Sequence, residues 1–404
     1  MAEKNLDFDT VVDRKNTYSL KYDFAKARNM PEDIMPLWVA DMDFPVSSYI
    51  QEALQKQVEH GIFGYSDVQE EYFEVVKSWM QRHYGWNVKS DWLVKTPGIV
   101  FALAMALKAF TQKGDSVLIQ QPVYYPFQSV IVDNGRKMVS STLKQDDSGK
   151  YEIDFVDFEE KIVKENIKLF FLCNPHNPVG RVWSEEELIR LGDICYKHHV
   201  IVVSDEIHAD FTFQGKHHVF VDLKEEYQEI AMVATSPSKT FNIAGLQVSN
   251  IFIPNPELKK KLLQEIYACG YVQLNVMGLI AAKAAYEHGD EWYRAMYEYV
   301  RENIAYTKRF IEEKIPDVRL VDHQGTYLVW LDFRSLKLSE QELEELIVKR
   351  AKLWLDGGTM FGSAGKGFQR INVACPRKVL EEALTRLELA MKDVKNHEGG
   401  YDYE

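Results

Sequence analysis

Ala231-Met232-Val233-Ala234-Thr235-Ser236-Pro237-Ser238-Lys239-Thr240-Phe241-Asn242-Ile243-Ala244-Gly245-Leu246 runs from an apolar pentapeptide into a cluster of small hydroxylated residues holding one lysine. The pentapeptide reads as a strand covered on both faces, as in a parallel or mixed sheet between helices. A lysine directly after such a strand is badly placed for a solvated surface charge. Burial disfavours the charged amine and lowers its pKa, and an uncharged amine can condense with an aldehyde.

Three runs of the same kind precede it: Ser116-Val117-Leu118-Ile119-Gln120, Leu169-Phe170-Phe171-Leu172-Cys173 and Val200-Ile201-Val202-Val203-Ser204. Between them lie amphipathic patterns such as a helix over 185–198, opened by Ser184 as N-cap with Glu187 three residues on. The alternation predicts an α/β fold with a mixed, mostly parallel sheet between helices. Ligands of such sheets gather at the carboxyl ends of the strands. Asn174-Pro175-His176-Asn177-Pro178-Val179-Gly180 follows one run, and Val202-Val203-Ser204-Asp205-Glu206-Ile207-His208 spans the end of the next. The fold can therefore bring Asn177, Asp205 and Lys239 together. An amide, a carboxylate and a lysine at successive strand ends suit pyridoxal phosphate (PLP), which is held as a lysine Schiff base with an acidic partner on its ring nitrogen. The step from Asp205 to Lys239 suits one crossover unit; the alternative for Asp205 is a helix N-cap.

The last third changes character. A long polar helix is expected over 290–313, a strand over 327–333, a helix over 339–352, a strand over 369–374 and a closing helix over 379–394. This α+β layout suits a smaller domain. The expected division is an N-terminal segment 1–45 packing on the small domain or a neighbouring subunit, a large domain 46–289 and a small domain 290–404. The tail from His397 to Glu404 is expected to fray.

A chain of 404 residues with 46% apolar and 27% charged residues reads as an ordinary globular protein of two domains. Its net charge of −13 argues against nucleic acid as a partner. The N-terminus lacks an apolar signal core, and the most apolar stretch, 98–110, is too short to span a bilayer. A cytoplasmic location is expected. Cys173, Cys195, Cys269 and Cys375 form no C-x-x-C pair and read as small buried apolar residues in a reducing compartment. His198-His199 and His217-His218 lack ligands at metal spacing and read as solvated histidines, so no metal is expected.

The N-P-H-N-P-V-G, S-D-E-I-H and S-P-S-K-T-F-N-I-A-G-L segments resemble the class I/II aminotransferase superfamily, the fold-type I PLP enzymes. Thr17-Tyr18-Ser19-Leu20-Lys21-Tyr22-Asp23, Trp38-Val39-Ala40-Asp41-Met42-Asp43-Phe44, Pro122-Val123-Tyr124-Tyr125-Pro126-Phe127 and Gly180-Arg181-Val182-Trp183 resemble, more narrowly, the cystathionine β-lyase type of C–S lyase (the MalY/PatB group).

The resemblance implies a role for each matching position. Lys239 is the Schiff-base lysine, Asp205 faces the pyridine nitrogen and Asn177 donates to the cofactor's phenolic oxygen, close to bound substrate. Tyr124 stacks on the ring; its alternative, with Tyr125, is a pair of packing tyrosines. Gly98, Ile99 and Val100 meet the phosphate through main-chain donors at a helix start, and Ser236 and Ser238 add hydroxyls. Tyr65 reaches the phosphate of the other subunit, implying a homodimer with composite sites. Arg370 grips the substrate carboxylate, with a sheet-edge salt bridge as its alternative, and Ala40 offers the carboxylate a backbone contact. His208 stands where many members have a tyrosine on the phenolic oxygen; its alternative is a packed, hydrogen-bonded histidine. One position departs from the pattern: many members carry a phosphate-binding arginine where this chain has Gln247.

The implied reaction is β-elimination from cystathionine, cysteine or a related cysteine S-conjugate, giving a thiol, pyruvate and ammonia. Lysine, carboxylate and arginine serve transamination equally well, so the lyase expectation rests on the resemblance. An aminotransferase is the alternative enzyme, and a PLP-binding regulatory protein the alternative of another class.

Overall fold

Seven short strands form the main sheet of the computed structural model: β1 (Leu93–Thr96), β2 (Ser116–Ile119), β3 (Lys137–Ser140), β4 (Leu169–Cys173), β5 (Ile201–Asp205), β6 (Ala231–Thr235) and β7 (Ser249–Phe252). The structure describes residues 3–398 apart from Asn5, Asp147, Ser148 and Val272, with side chains through Lys392. The spatial order is β1-β7-β6-β5-β4-β2-β3, with β7 antiparallel between β1 and β6 and the other strands running one way. Successive side chains point to opposite faces, so each strand feeds two cores. Leu118, Phe170, Leu172, Val202 and Val233 enter one; Val117, Phe171, Val203, Met232 and Ala234 enter the other. That double burial is why these strands read as unbroken apolar runs.

Register then sets the site. Cys173 is level with Asp205, and Asp205 with Ala234, so β4, β5 and β6 end together. The helix Glu185–Lys197 that joins β4 to β5 carries the expected capping box of Ser184 and Glu187.

Four antiparallel strands make a second sheet: β8 (Arg319–Leu320), β9 (Leu328–Asp332), β10 (Asp356–Gly357) and β11 (Phe368–Asn372), in the order β8-β9-β11-β10. Ile311 of the helix Asp290–Lys314 and Leu380, Leu384 and Leu387 of the helix Arg377–Glu398 pack with Val329, Leu331 and Ile371 of this sheet. The helix expected over 339–352 is instead divided. Ser339 and Glu342 form a capping box for the short helix Glu340–Glu344, and Glu345–Arg350 widens into a π-helix.

The N-terminal segment bridges both parts. Met35–Pro36 pairs in parallel with Leu353–Trp354, and Trp38 stacks on Trp354 with ring centroids 4.5 Å apart. Glu3 accepts from the backbone N–H of Ser48, at the start of the helix Ser48–His60. Of the tail expected to fray, His397 and Glu398 continue the closing helix, and 399–404 lie outside the described residues.

Two further expectations need correction. Cys269 is exposed, because it sits at the C-cap of the helix Pro256–Ala268 rather than in a core. His217 is buried, not solvated: its Nε2 lies 2.8 Å from the Glu206 carboxylate, and the partnership offsets the cost of burying both. Among the described residues no helix is long and apolar enough to cross a membrane, and no cluster of histidine, cysteine or acidic residues could hold a metal ion.

Candidate active site

The level ends of β4, β5 and β6 open on a cavity of about 240 Å³ whose lining includes Tyr124, Asn177, Asp205, His208, Ser238 and Lys239. Lys239 stands on one helical turn, Pro237–Thr240, started by a proline and capped by Ser236, whose side chain accepts from the Ser238 N–H. Its ammonium donates to the Ala40 carbonyl oxygen at 2.6 Å. Burial pulls its pKa down to about 8; Arg370 adds to the fall, while Asp41 and Asp205 oppose it. Burial likewise raises Asp205 to about 7, against the opposing pull of an N–H from Ile207 and the charge of Lys239.

His208 is buried, yet its Nδ1 has no hydrogen-bond partner, so it is not the satisfied packing histidine offered as an alternative. Burial, Lys239 and Arg370 all push its pKa well down, so the ring is neutral at pH 7. Tyr124 donates its backbone N–H to the Asn177 carbonyl at 2.9 Å, joining the turn after β2 to the turn after β4. Tyr125, its neighbour, does not line this cavity and packs near Phe361, with ring centroids 6.0 Å apart.

The helix Ile99–Phe110 begins at the cavity wall, where Gly98, Ile99 and Val100 all contribute. Gly98 is its N-cap at φ +152°, a conformation that side-chain-bearing residues rarely adopt. The first N–H groups of a helix are unpaired within it, so this end presents donors to the cavity. Ser238 lines the cavity and Ser236 does not: the Ser236 hydroxyl bonds the Val248 carbonyl at 2.7 Å and lies 2.8 Å from the Ser238 hydroxyl. Neither Gln247 nor any arginine is part of the lining.

Arg370 comes from β11, an inner strand of the second sheet, and is 3% exposed. Its guanidinium donates to Asn177 Oδ1 and the Trp38 carbonyl, each at 3.0 Å, and pairs with Asp356 directly across on β10. Its Nε has no partner. The alternative of a sheet-edge salt bridge is thus half met: Asp356 of the ion pair stands on the edge strand β10, but Arg370 is on the inner strand β11 and both partners are buried.

The 38–44 loop is held through its backbone. Side chains grip its carbonyls in turn. Arg370 holds Trp38, Asn372 holds Val39 and Asp41, Tyr327 and Lys239 hold Ala40, and Asn242 holds Met42 and Phe44. A second cavity of about 630 Å³ also borders Lys239, together with Arg14, Tyr18, Asp41 and Asp43. There Lys21, wholly buried, donates to Asp43 at 2.7 Å, and Arg14 bonds both Asp41 and Asp43. Sequence reading missed Arg14, Asn242, Tyr327, Asn372 and Asp356; only the nearness of Asn242 to Lys239 and of Asn372 to Arg370 hinted at two of them.

Tyr65 stands apart from Lys239 of its own chain. It is 99% exposed and, with Phe63 and Tyr271, borders a separate cavity of about 710 Å³.

Residues 32–387 match the family model described as aminotransferase class I and II. The chain is 40% identical to cystathionine beta-lyase PatB of Bacillus subtilis (strain 168) over 96% of its length and all of that protein's. Cystalysin of Treponema denticola, whose crystal structure contains pyridoxal 5'-phosphate, superposes with a TM-score of 0.92 at 37% identity, over 96% of this chain and 99% of that one. A PLP-bound protein of Clostridium difficile 630, provisionally named an aminotransferase, superposes with a TM-score of 0.93 at 40% identity, over 95% and 99%.

Proposed function

The chain belongs to the aminotransferase class I and II family, and from that premise we propose that it is a PLP-dependent C–S β-lyase acting on cystathionine, cysteine or a related cysteine S-conjugate. The residues around the cavity fit the cofactor. A buried lysine of lowered pKa suits its aldehyde, an unpartnered Nδ1 on His208 is free to meet a polar atom, and a glycine-started helix end suits an anion. The observation that carries elimination over amino transfer is the 40% identity to PatB along that relative's whole length.

When bound, PLP supplies an electron-poor ring that takes up the charge left by loss of the substrate α-proton. Lys239 holds the cofactor and then, through its Nζ, removes the proton from the substrate Cα; the pKa of about 8 leaves part of it uncharged near neutral pH. Asp205, a lining residue, would pair its carboxylate with the protonated ring nitrogen, an opposite charge that favours the ionised acid. Tyr124 would pack against the cofactor ring, and Asn177 and His208 would supply polar partners for its oxygen; all three line the cavity. Gly98, Ile99 and Val100 would offer main-chain N–H groups to the phosphate along with the Ser238 hydroxyl, and Ser236 holds Ser238. Arg370 binds the substrate carboxylate with the Ala40 N–H, which forms no bond among the described residues. A thiolate then leaves the β-carbon; with one water consumed, the products are a thiol, pyruvate and ammonia.

In this reading the working unit is a cytoplasmic homodimer. Exposed Ile62, Phe63 and Tyr65 support a partner-facing loop from which Tyr65 reaches the other subunit's phosphate. Residues 46–289 act as the cofactor-binding domain and 290–404 as the small domain, with the N-terminal segment 1–45 packing on the small domain, while Glu3 also meets Ser48 of the large one.

Purified protein given cystathionine is expected to release pyruvate, detected by a lactate dehydrogenase-coupled assay. Glutamate formation from an amino acid and 2-oxoglutarate, without pyruvate from cysteine conjugates, would establish the aminotransferase instead.

A further inference from the structure

Five residues beyond Asp205, the carboxylate of Asp210 gathers three side-chain donors. Thr240 Oγ1 donates at 2.5 Å, Trp79 Nε1 at 3.3 Å, and the Tyr84 hydroxyl also bonds it. The Asp210 carbonyl accepts from the Tyr293 hydroxyl at 2.7 Å. These partners come from three places. Thr240 ends the helical turn that bears Lys239, Trp79 and Tyr84 lie on the helix Glu70–Tyr84, and Tyr293 lies on the helix Asp290–Lys314. Burial, then the Asp210 charge, pushes the Tyr84 hydroxyl far above its ordinary pKa, so Tyr84 keeps its proton and donates.

The turn that carries Asp210 is itself stiff. Ile207 donates its N–H to the Asp205 carboxylate at 3.2 Å, Ala209 to the Glu206 carbonyl at 3.0 Å, and Phe211 to the His208 carbonyl at 2.8 Å. Behind it, the Glu206 carboxylate accepts from Ser204, His217 and the Phe220 N–H at 2.8, 2.8 and 3.0 Å. A carboxylate anchored on this turn and bonded to Thr240 links the segment holding Asp205 and His208 to the segment holding Lys239.

We propose that Asp210 is a positioning residue of the reaction: by holding Thr240, it sets where Lys239 stands relative to Asp205 and His208. The proposal rests on the reading of Lys239 as the cofactor-bearing lysine. Asp210 does not line the cavity and acts through Thr240. Misplacing a reacting group by about 1 Å costs on the order of a hundredfold in rate, so one bond at this junction matters to the reaction as well as to the fold.

The test uses the holoenzyme of wild type, Thr240→Val, Thr240→Ser, Asp210→Asn and Tyr84→Phe. For each, the visible band of the lysine-linked cofactor is titrated with pH, and melting temperature, kcat and KM are measured. Thr240→Val and Asp210→Asn are expected to move the titration midpoint by about half a unit or more, since a displaced amine feels Asp205, Asp41 and Arg370 differently. They should lower kcat about tenfold with KM within about twofold, and Thr240→Ser should restore both. A purely structural role lowers the melting temperature and leaves the midpoint unmoved; that result overturns the proposal. If Thr240→Val and Asp210→Asn do not fold, Tyr84→Phe, which removes one donor from the same carboxylate, decides by the same midpoint. Borohydride trapping in wild type separates the two levels. An adduct on another lysine overturns the underlying reading and the proposal with it; an adduct on Lys239 with unmoved midpoints overturns the proposal alone.

Discussion

The ammonium of Lys239 lies 2.6 Å from the carbonyl oxygen of Ala40, a residue 199 positions earlier in the chain. Tyr327 donates to the same oxygen at 2.9 Å from β9's leading edge, so one carbonyl is shared by the large sheet's lysine and the second sheet's tyrosine. Because Arg370 and Asn372 hold neighbouring carbonyls, the 38–44 loop ties the two sheets together at the cavity. Closure of the site therefore depends on a backbone loop read by side chains from both parts.

Asn242 tests that dependence. Its side chain accepts from the Met42 N–H and donates to the Met42 and Phe44 carbonyls, all at 2.9 Å, and its backbone is left-handed at φ +56°. Asn242→Gly removes the bonds without backbone strain and is expected to cost about 1–3 kcal/mol in denaturant unfolding. Asn242→Ala should cost about 1 kcal/mol more, because alanine resists that backbone conformation. Equal stability of the two variants would mean that the left-handed backbone contributes nothing.

Asp205 carries a signed pH prediction. Burial raises its pKa from 3.8 to about 7, so the folded, cofactor-free protein binds this proton more tightly than the unfolded chain does. Stability linked to this group is thus present in full below about pH 4, falls as pH rises to 7 and stays low above it. Asp205→Asn should stabilise the cofactor-free protein by about 1–3 kcal/mol at pH 8 and by little at pH 4, the nearby Lys239 charge limiting the gain. The same variant, loaded with cofactor, should turn over far more slowly. Thermal unfolding at the two pH values, with wild type alongside, is the check.

Arg370→Ala is expected to lower kcat/KM for cysteine-type substrates by about ten- to a hundredfold, the loss of one charge-assisted pair of about 1.5–3 kcal/mol. It also strands Asp356, which burial already pushes above the usual carboxylate range. The single variant should therefore lose about 3–5 kcal/mol of stability. Adding Asp356→Ala should recover much of that stability and none of the kcat/KM. Recovery of both would place Arg370 outside the substrate site.

The composite site is tested by mixing two inactive variants, Tyr65→Ala and Lys239→Ala. After subunit exchange, verified with tagged chains, each heterodimer holds one site with both lesions and one with neither. Activity should return to about a quarter of wild type, given random pairing and independent sites. A mixture that exchanges and stays inactive would assign Tyr65 to its own chain's site.

What the sequence determined by itself was everything set by local pattern. Strands buried on both faces must be apolar at every position, so β2, β4, β5 and β6 were legible within a residue of their ends. The capping box of Ser184 and Glu187 marks a helix start through its own short-range bonds. The carboxyl ends of successive parallel strands must lie side by side, so Asn177, Asp205 and Lys239 could be grouped before their register was known. Tertiary structure alone decided the contacts between distant polar groups: Ala40 with Lys239, Asp356 with Arg370, Glu206 with His217, and Asp210 with Thr240. Sequence periodicity records which face of an element is buried, and no more. A buried histidine or aspartate looks solvated in the sequence until the fold supplies its partner, because its cost of burial is offset by a group from elsewhere in the chain.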